Sequence, residues 1–276
     1  MARILIIDDD RTTRELISAQ LRSAGLAVTT AKDGGAGLAR LRKEEFDLVL
    51  LDVWMPGMDG LEVLSRLRDE PSQPRVVVMT ADDTPETLLK AIRERAYHYV
   101  TKPVEPGQLL ELVRTVLASR PLRPIEVVSA RPEWVELIVP CERAAAERIQ
   151  DFLARLESDL PEEVRTSVGQ AFRELLMNAI EWGGKLDPRQ TVRIACLRAR
   201  RMLLYRIADP GAGFSFEGLT HAAVSNPPDS PAGHMLEREA KGLRPGGFGL
   251  LITQSVVDEL LYNEKHNEVV FVKYLD

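Results

Sequence analysis

Residues 50–60 read LLDVWMPGMDG. The apolar run at 47–51 that leads into them has the length and composition of a strand buried on both faces, and a carboxylate, Asp52, stands at its end. Similar short runs occur at 3–7 (RILII), 26–30, 75–79 and 98–101. Between them the apolar spacing turns helical, from Arg11 to Ser23 (ended by Gly25) and then near 34–43, 61–69, 85–94 and 106–118. Five apolar strands interleaved with five helices predict right-handed βαβ units, an α/β doubly wound domain around a five-stranded parallel sheet.

Chemistry in such a sheet collects at the carboxyl ends of the strands. Asp8 and Asp9 end the first strand and Asp52 the third; Thr80 ends the fourth, and Lys102 with Pro103 follows the fifth. Three carboxylates at one edge repel one another unless a cation is present, and hard oxygen ligands with room for water favour Mg²⁺. A lysine and a hydroxyl nearby suit an incoming phosphoryl group, which needs charge neutralisation and hydrogen bonds. Asp52 is then the nucleophile, forming an acyl phosphate.

In order along the chain, IIDDD, LLDVWMPGMDG, VVVMTA and YVTKP resemble the receiver domain of two-component response regulators, over about residues 1–119. The resemblance implies that Asp52 is the phosphoacceptor, and that Asp8, Asp9, Asp52 and the carbonyl of Trp54 hold Mg²⁺. It further implies that Lys102 pairs with the phosphoryl group, that Thr80 is the switch hydroxyl and Tyr99 the rotating aromatic, and that Lys102–Pro103 is a cis bond.

The chain of 276 residues is long enough for two domains. At 120–132 (RPLRPIEVVSARP) helical periodicity stops and prolines cluster, so the expected division is a receiver at 1–119, a linker or linker-plus-strand at 120–133, and a second domain at 134–276. With 5% aromatic residues and a net charge of −6, an aromatic nucleic-acid stacking surface and a DNA or anionic-membrane partner are disfavoured. Cys141 and Cys196 stand in apolar surroundings and read as buried thiols of a reducing compartment. MARILIIDDD has no cleavable h-region and no apolar stretch nears 20 residues, so a cytoplasmic protein without membrane partners is expected.

The second half has a different rhythm. WVELIVP (134–140) is a strand, 142–157 and 162–182 are long helices, and 191–209 is a hairpin turning near Arg200–Arg201. Residues 214–246 form a long Pro/Gly-rich loop suited to a lid. A helix from about Gly247 to Val257 and strands at 259–263 and 268–274 follow, so strands and helices cluster as in an α+β two-layer sandwich. Within ELLMNAIEWGG (174–184), Glu174, Asn178 and Glu181 fall on one helix face. Alone they read as the wet flank of an amphipathic helix whose packing stripe is Val168, Phe172, Leu175 and Ala179.

Downstream motifs bear on that face. IADPGAGF (207–214) follows a strand with Asp-x-Gly-x-Gly; a carboxylate there accepts a hydrogen bond from an exocyclic amine such as adenine's. PGGFGLLI (245–252) sets glycines at a helix start, where free N–H groups attract phosphate. No P-loop motif occurs. The Asn helix, the D-x-G-x-G turn, the lid and the G-x-G helix start, in that order, resemble the Bergerat-type (histidine-kinase-like) ATPase domain over about 134–275. The compact length resembles most the anti-sigma-factor serine kinases. The resemblance implies that Asn178 binds Mg²⁺ and reaches the ATP phosphates, Glu174 is the general base, Asp209 reads adenine, and Gly211 and Gly213 shape its pocket. Gly247 and Gly249 would receive the phosphates. Trp182 stands where that family commonly has histidine, Glu181 adds a carboxylate, and Val269 and Val270 lie where a threonine is frequent.

Among the four histidines, His98, His221, His234 and His266, none lies in a histidine-autokinase context; in the lid, His234, Arg238 and Lys241 read as solvated charges or γ-phosphate contacts. The expectation is a response regulator, phosphorylated on Asp52 by a sensor histidine kinase, whose Mg²⁺- and ATP-binding output is an ATP-dependent protein Ser/Thr kinase acting on an anti-sigma-factor antagonist. The alternative is a non-catalytic, phosphorylation-gated adaptor that sequesters a sigma factor or its antagonist. Either form is compatible with oligomerisation, and neither requires direct nucleic-acid contact.

Overall fold

The computed structural model describes residues 1–68, 74–81, 84–118, 123–131, 133–215 and 248–275. The chain divides into two compact units, Met1–Leu122 and Arg123–Asp276.

In the first unit the strands are β1 (Arg3–Ile7), β2 (Ala27–Ala31), β3 (Leu48–Asp52), β4 (Arg75–Thr80) and β5 (His98–Thr101). The helices between and after them are α1 (Arg11–Ser23), α2 (Gly34–Leu41), α3 (Gly60–Arg68), α4 (Pro85–Arg93) and α5 (Pro106–Ala118). All pairings are parallel, in the order β2-β1-β3-β4-β5. Helices cover both faces, so strand residues of either parity are apolar: Ile4–Ile7 and Leu48–Leu51 are fully buried. The order reverses at β1, which opens a crevice beyond the carboxyl ends of β1 and β3. Asp10 caps α1 by accepting from the Thr12 and Thr13 N–H groups, which fixes the chain just past Asp8 and Asp9.

The second unit carries β6 (Glu126–Arg131), β7 (Trp134–Pro140), β8 (Thr191–Ala199), β9 (Met202–Ala208), β10 (Glu259–Tyr262) and β11 (Glu268–Tyr274). Its helices among the described residues are α6 (Arg143–Leu156), α7 (Glu162–Asn178) and α8 (Gly249–Val256). The six strands form an antiparallel sheet, β10-β11-β9-β8-β7-β6. Alternate residues of β9 (Leu203, Tyr205, Ile207) point into the core, where Tyr205 stacks on Phe271 at 4.8 Å and meets Phe172 of α7 at 5.5 Å. The β8–β9 hairpin turns at Arg200–Arg201, with Ala199 opposite Met202.

Of the two readings of 120–133, linker and linker-plus-strand, the second holds: residues 126–131 are strand β6, an edge strand antiparallel to β7. One expectation needs correction. The helix expected over 162–182 ends at Asn178 and passes into a π turn, Ala179–Gly183, in which the Gly184 N–H reaches back to the Ala179 carbonyl at 2.8 Å. The wider turn displaces Glu181 from the row that Glu174 and Asn178 define. The side chain of Glu181 is largely buried and ion-paired to Arg143 at the start of α6, 3.1 Å away. Cys141 and Cys196 are buried free thiols, and no helix among the described residues is long and apolar enough to cross a membrane.

Candidate functional site

At the carboxyl edge of the parallel sheet, Asp8, Asp9 and Asp52 each offer an oxygen, and the three lie within 4.8 Å of one another. Asp8 and Asp52 are buried while Asp9 is exposed. Lys102 spans the crevice, its Nζ 2.7 Å from Asp8 Oδ2 and 3.0 Å from Asp52 Oδ2. The peptide bond after it, Lys102–Pro103, is cis. The Lys102 N–H donates to the Thr80 carbonyl at 2.7 Å, so the lysine is anchored at the backbone beside the buried Thr80. Asp8 also accepts the Asp10 N–H at 2.9 Å, and its carbonyl accepts Arg14 Nη1 at 2.6 Å.

Burial pushes the Asp52 carboxyl above its usual range; Lys102 opposes this, and the charges of Asp8 and Asp9 add to it. Burial alone would lower the Lys102 ammonium, but hydrogen bonds to Asp8 and Asp52 outweigh it and hold the pKa above its ordinary value. The crevice thus combines a crowded set of anionic oxygens with one firmly protonated amine. Such a donor set fits a hard divalent cation with open water positions. Trp54, two residues past Asp52, is exposed through its side chain, and Tyr99 in β5 is buried.

The second unit brings its candidates together in two groups. Asp209 follows β9, and its Oδ1 accepts the Gly211 N–H at 2.7 Å. The Asp209 N–H donates to the Asn267 carbonyl at 2.9 Å, and Asn267 Nδ2 donates to the Gly211 carbonyl at 3.1 Å. Gly213 has φ +84°, and a Cβ there would stand 1.6 Å from the Lys265 carbonyl oxygen, so the turn accepts only glycine. His266 Nδ1 lies 2.7 Å from the Phe214 carbonyl, and the rings of Phe214, Tyr262 and His266 cluster. The β10–β11 loop therefore fixes the D-x-G-x-G turn from outside. Burial raises the Asp209 carboxyl, partly offset by the Gly211 N–H. Burial, with the nearby charges of Asp209 and Asp187, pushes the Cys141 thiol up to about 11.

In the other group, Glu174 of α7 lies over the first residue of α8: a Cβ on Gly249 would be 2.3 Å from Glu174 Oε2. Asn178, one turn on, is half-buried at the end of α7. Gly247, with Phe216 through Gly246 of the expected lid (including His221, His234, Arg238 and Lys241), lies outside the described residues. Asn267 and Gly183 went unremarked in the sequence. A lone Asn in a loop carries no signal, and Gly183 reads as a helix stop until the π turn sets it against Asp209.

Two family models match the chain: the response regulator receiver domain over residues 4–114 and the histidine kinase-like ATPase domain over residues 139–273. The chain is 34% identical over 182 residues to the DNA-binding response regulator MtrA of Mycolicibacterium smegmatis, a match spanning 66% of this chain and 78% of that protein. Protein PilH of Pseudomonas aeruginosa is 38% identical over 121 residues, 43% of this chain and all of PilH. A solved structure of Vibrio cholerae CheY4 is similar over 42% of this chain and 98% of its own, at 32% identity and a TM-score of 0.40. The chain belongs to the response regulators, with a receiver domain followed by a histidine kinase-like ATPase domain.

Proposed function

We propose that the protein accepts a phosphoryl group on Asp52 from a sensor histidine kinase and thereby controls an ATP-binding, anti-sigma-type Ser/Thr kinase domain. The observation that carries the first half is the convergence of Asp8, Asp9, Asp52 and Lys102 on one crevice of a receiver domain. A carboxylate oxygen of Asp52 attacks the phosphorus of a phosphohistidine; the P–O bond forms as the P–N bond breaks, and the imidazole leaves with its electron pair. Lys102, held protonated, neutralises charge developing on the phosphoryl oxygens. Asp8, Asp9, Asp52 and the Trp54 carbonyl are the groups to hold Mg²⁺, which supplies the remaining charge compensation when bound. In this reading Thr80, which ends the neighbouring strand, hydrogen-bonds the phosphoryl group, and Tyr99 in β5 responds to it.

The second half is supported by the ATPase-domain match, by the hydrogen bond that closes the Asp209 turn and by the close approach of Glu174 to Gly249. In this reading Asp209, with Gly211 and Gly213, receives adenine, and Gly247 and Gly249 the phosphates. Asn178 contributes a Mg²⁺ ligand, and Glu174 takes the proton of an incoming Ser or Thr hydroxyl. MtrA is named as DNA-binding, but here the residues after the receiver match an ATPase domain, which favours a nucleotide-dependent output.

Incubating the full chain with labelled ATP and candidate anti-sigma-factor antagonists tests this reading. Transfer to the antagonist that vanishes in Asn178→Ala supports the kinase. Tight ATP binding with no transfer, whether or not Asp52 is phosphorylated, means that the output is the adaptor that sequesters a partner.

A further inference from the structure

The carboxylate of Asp209 is gripped on one side only. Its Oδ1 accepts the Gly211 N–H, and the backbone of Gly183, from the π turn, lies against that same oxygen. A Cβ built on Gly183 would stand 2.2 Å from Oδ1, 2.3 Å from Cγ and 2.5 Å from Cβ of Asp209. One built on Gly211 would stand 2.7 Å from Oδ1 and 2.9 Å from the Gly183 Cα. Oδ2 takes no hydrogen bond among the described residues. Oδ2 is not among the fully buried side-chain atoms that lack a partner, so it stays open to a donor that a ligand brings.

We infer that Gly183 is a specificity-determining residue of the nucleotide site, clamping Asp209 so that Oδ2 is the one acceptor left for the exocyclic amine of an adenine. The inference rests on the reading of Asp209 as the base-recognising carboxylate. Its physical content is steric. A carboxylate is planar, so holding Oδ1 between Gly211 and Gly183 also sets the direction of Oδ2. A methyl group at 183 forces the carboxylate to turn or shift, and hydrogen bonds weaken steeply with such misalignment. The main chain at 209 and 211 resists following, because Asn267 ties both residues to the β10–β11 loop. Among the described residues these contacts involve Asp209 and neither Glu174 nor Gly249, so base recognition should suffer first.

The test measures binding of two nucleotides to the full chain by calorimetry with Mg²⁺: ATP, and purine riboside triphosphate, which lacks the exocyclic amine. Wild type should prefer ATP by roughly tenfold or more, the worth of a charge-assisted hydrogen bond. Gly183→Ala, with a wild-type circular dichroism spectrum, should bind both nucleotides with the affinity that wild type shows for the amine-free one. Gly211→Ala, which crowds the same oxygen less severely, provides the second variant and should lose most of the preference. A folded Gly183→Ala that still prefers ATP as wild type does overturns the role of Gly183, and a folded Gly211→Ala that does so overturns the confinement of Oδ1 between the two glycines. A wild type that binds the two nucleotides equally, or neither, contradicts the reading of Asp209 itself and removes the ground for the inference.

Discussion

Asp52 is a buried carboxylate facing two others, and its environment sets two consequences for one substitution. Acetyl phosphate with Mg²⁺ should add one acid-labile phosphoryl group to wild type and none to Asp52→Asn; equal labelling would remove Asp52 from the mechanism. The same variant should be more stable in Mg²⁺-free buffer at neutral pH. The folded state holds the Asp52 proton more tightly than the unfolded one, so ionising this group opposes folding as pH rises past the ordinary carboxylate range. Each kcal/mol relieved raises Tm by about 4 °C in a unit of this size, and a calorimetric scan showing no rise would mean that Lys102 already neutralises the site. In the second unit, Asp209→Asn should weaken ATP by roughly 1–3 kcal/mol, since a charged acceptor becomes a neutral one; unchanged affinity would place the adenine elsewhere. Asp8, Asp9, Asp52 and Lys102 were legible in the sequence because strand ends in a parallel sheet are set by apolar runs. Gly183 was not, since its meaning depends on Asp209, which lies 26 residues away and approaches only in the folded sheet.

Helix α7 shows where periodicity stops informing. The spacing of Val168, Phe172, Leu175 and Ala179 marks the packed stripe correctly, and all four are buried. Continued into Ile180–Gly184, the same period puts Glu181 beside Asn178, whereas the π turn takes it to Arg143. A one-residue widening leaves no trace in an apolar pattern. At the end of α6, Glu157 is buried, and its Oε1 has no hydrogen-bond partner among the described residues. Burial pushes its carboxyl up to about 8, with Arg198 opposing and Asp159 adding. The folded pKa lies above the ordinary 4.5, so the stability that this group confers is full below that value and is lost as pH rises towards 8. The slope approaches about 1.4 kcal/mol per pH unit for one such group. Glu157→Gln should flatten the fall, read from urea midpoints at pH 5, 6, 7 and 8; parallel wild-type and mutant profiles would mean that Glu157 is already ionised in the fold.

On the scale of the whole molecule, the chain joins two units with separate cores and different sheet grammars. The first is all parallel with helices on both faces, and the second is antiparallel with α6, α7 and α8 beside it. That change was legible in the sequence as a switch from alternating to clustered elements. The edge strand β6 was legible only as one of two readings of 120–133, because Pro124 and Pro132 flank it. The central claim is that phosphoryl chemistry at Asp52 governs nucleotide use by the second unit. Its most direct test is the ATP affinity of the full chain, measured by calorimetry with Mg²⁺ before and after phosphorylation by acetyl phosphate. The account predicts saturable binding of one ATP per chain that changes severalfold on phosphorylation in wild type and not in Asp52→Asn. No binding, or an affinity indifferent to the state of Asp52, would contradict it.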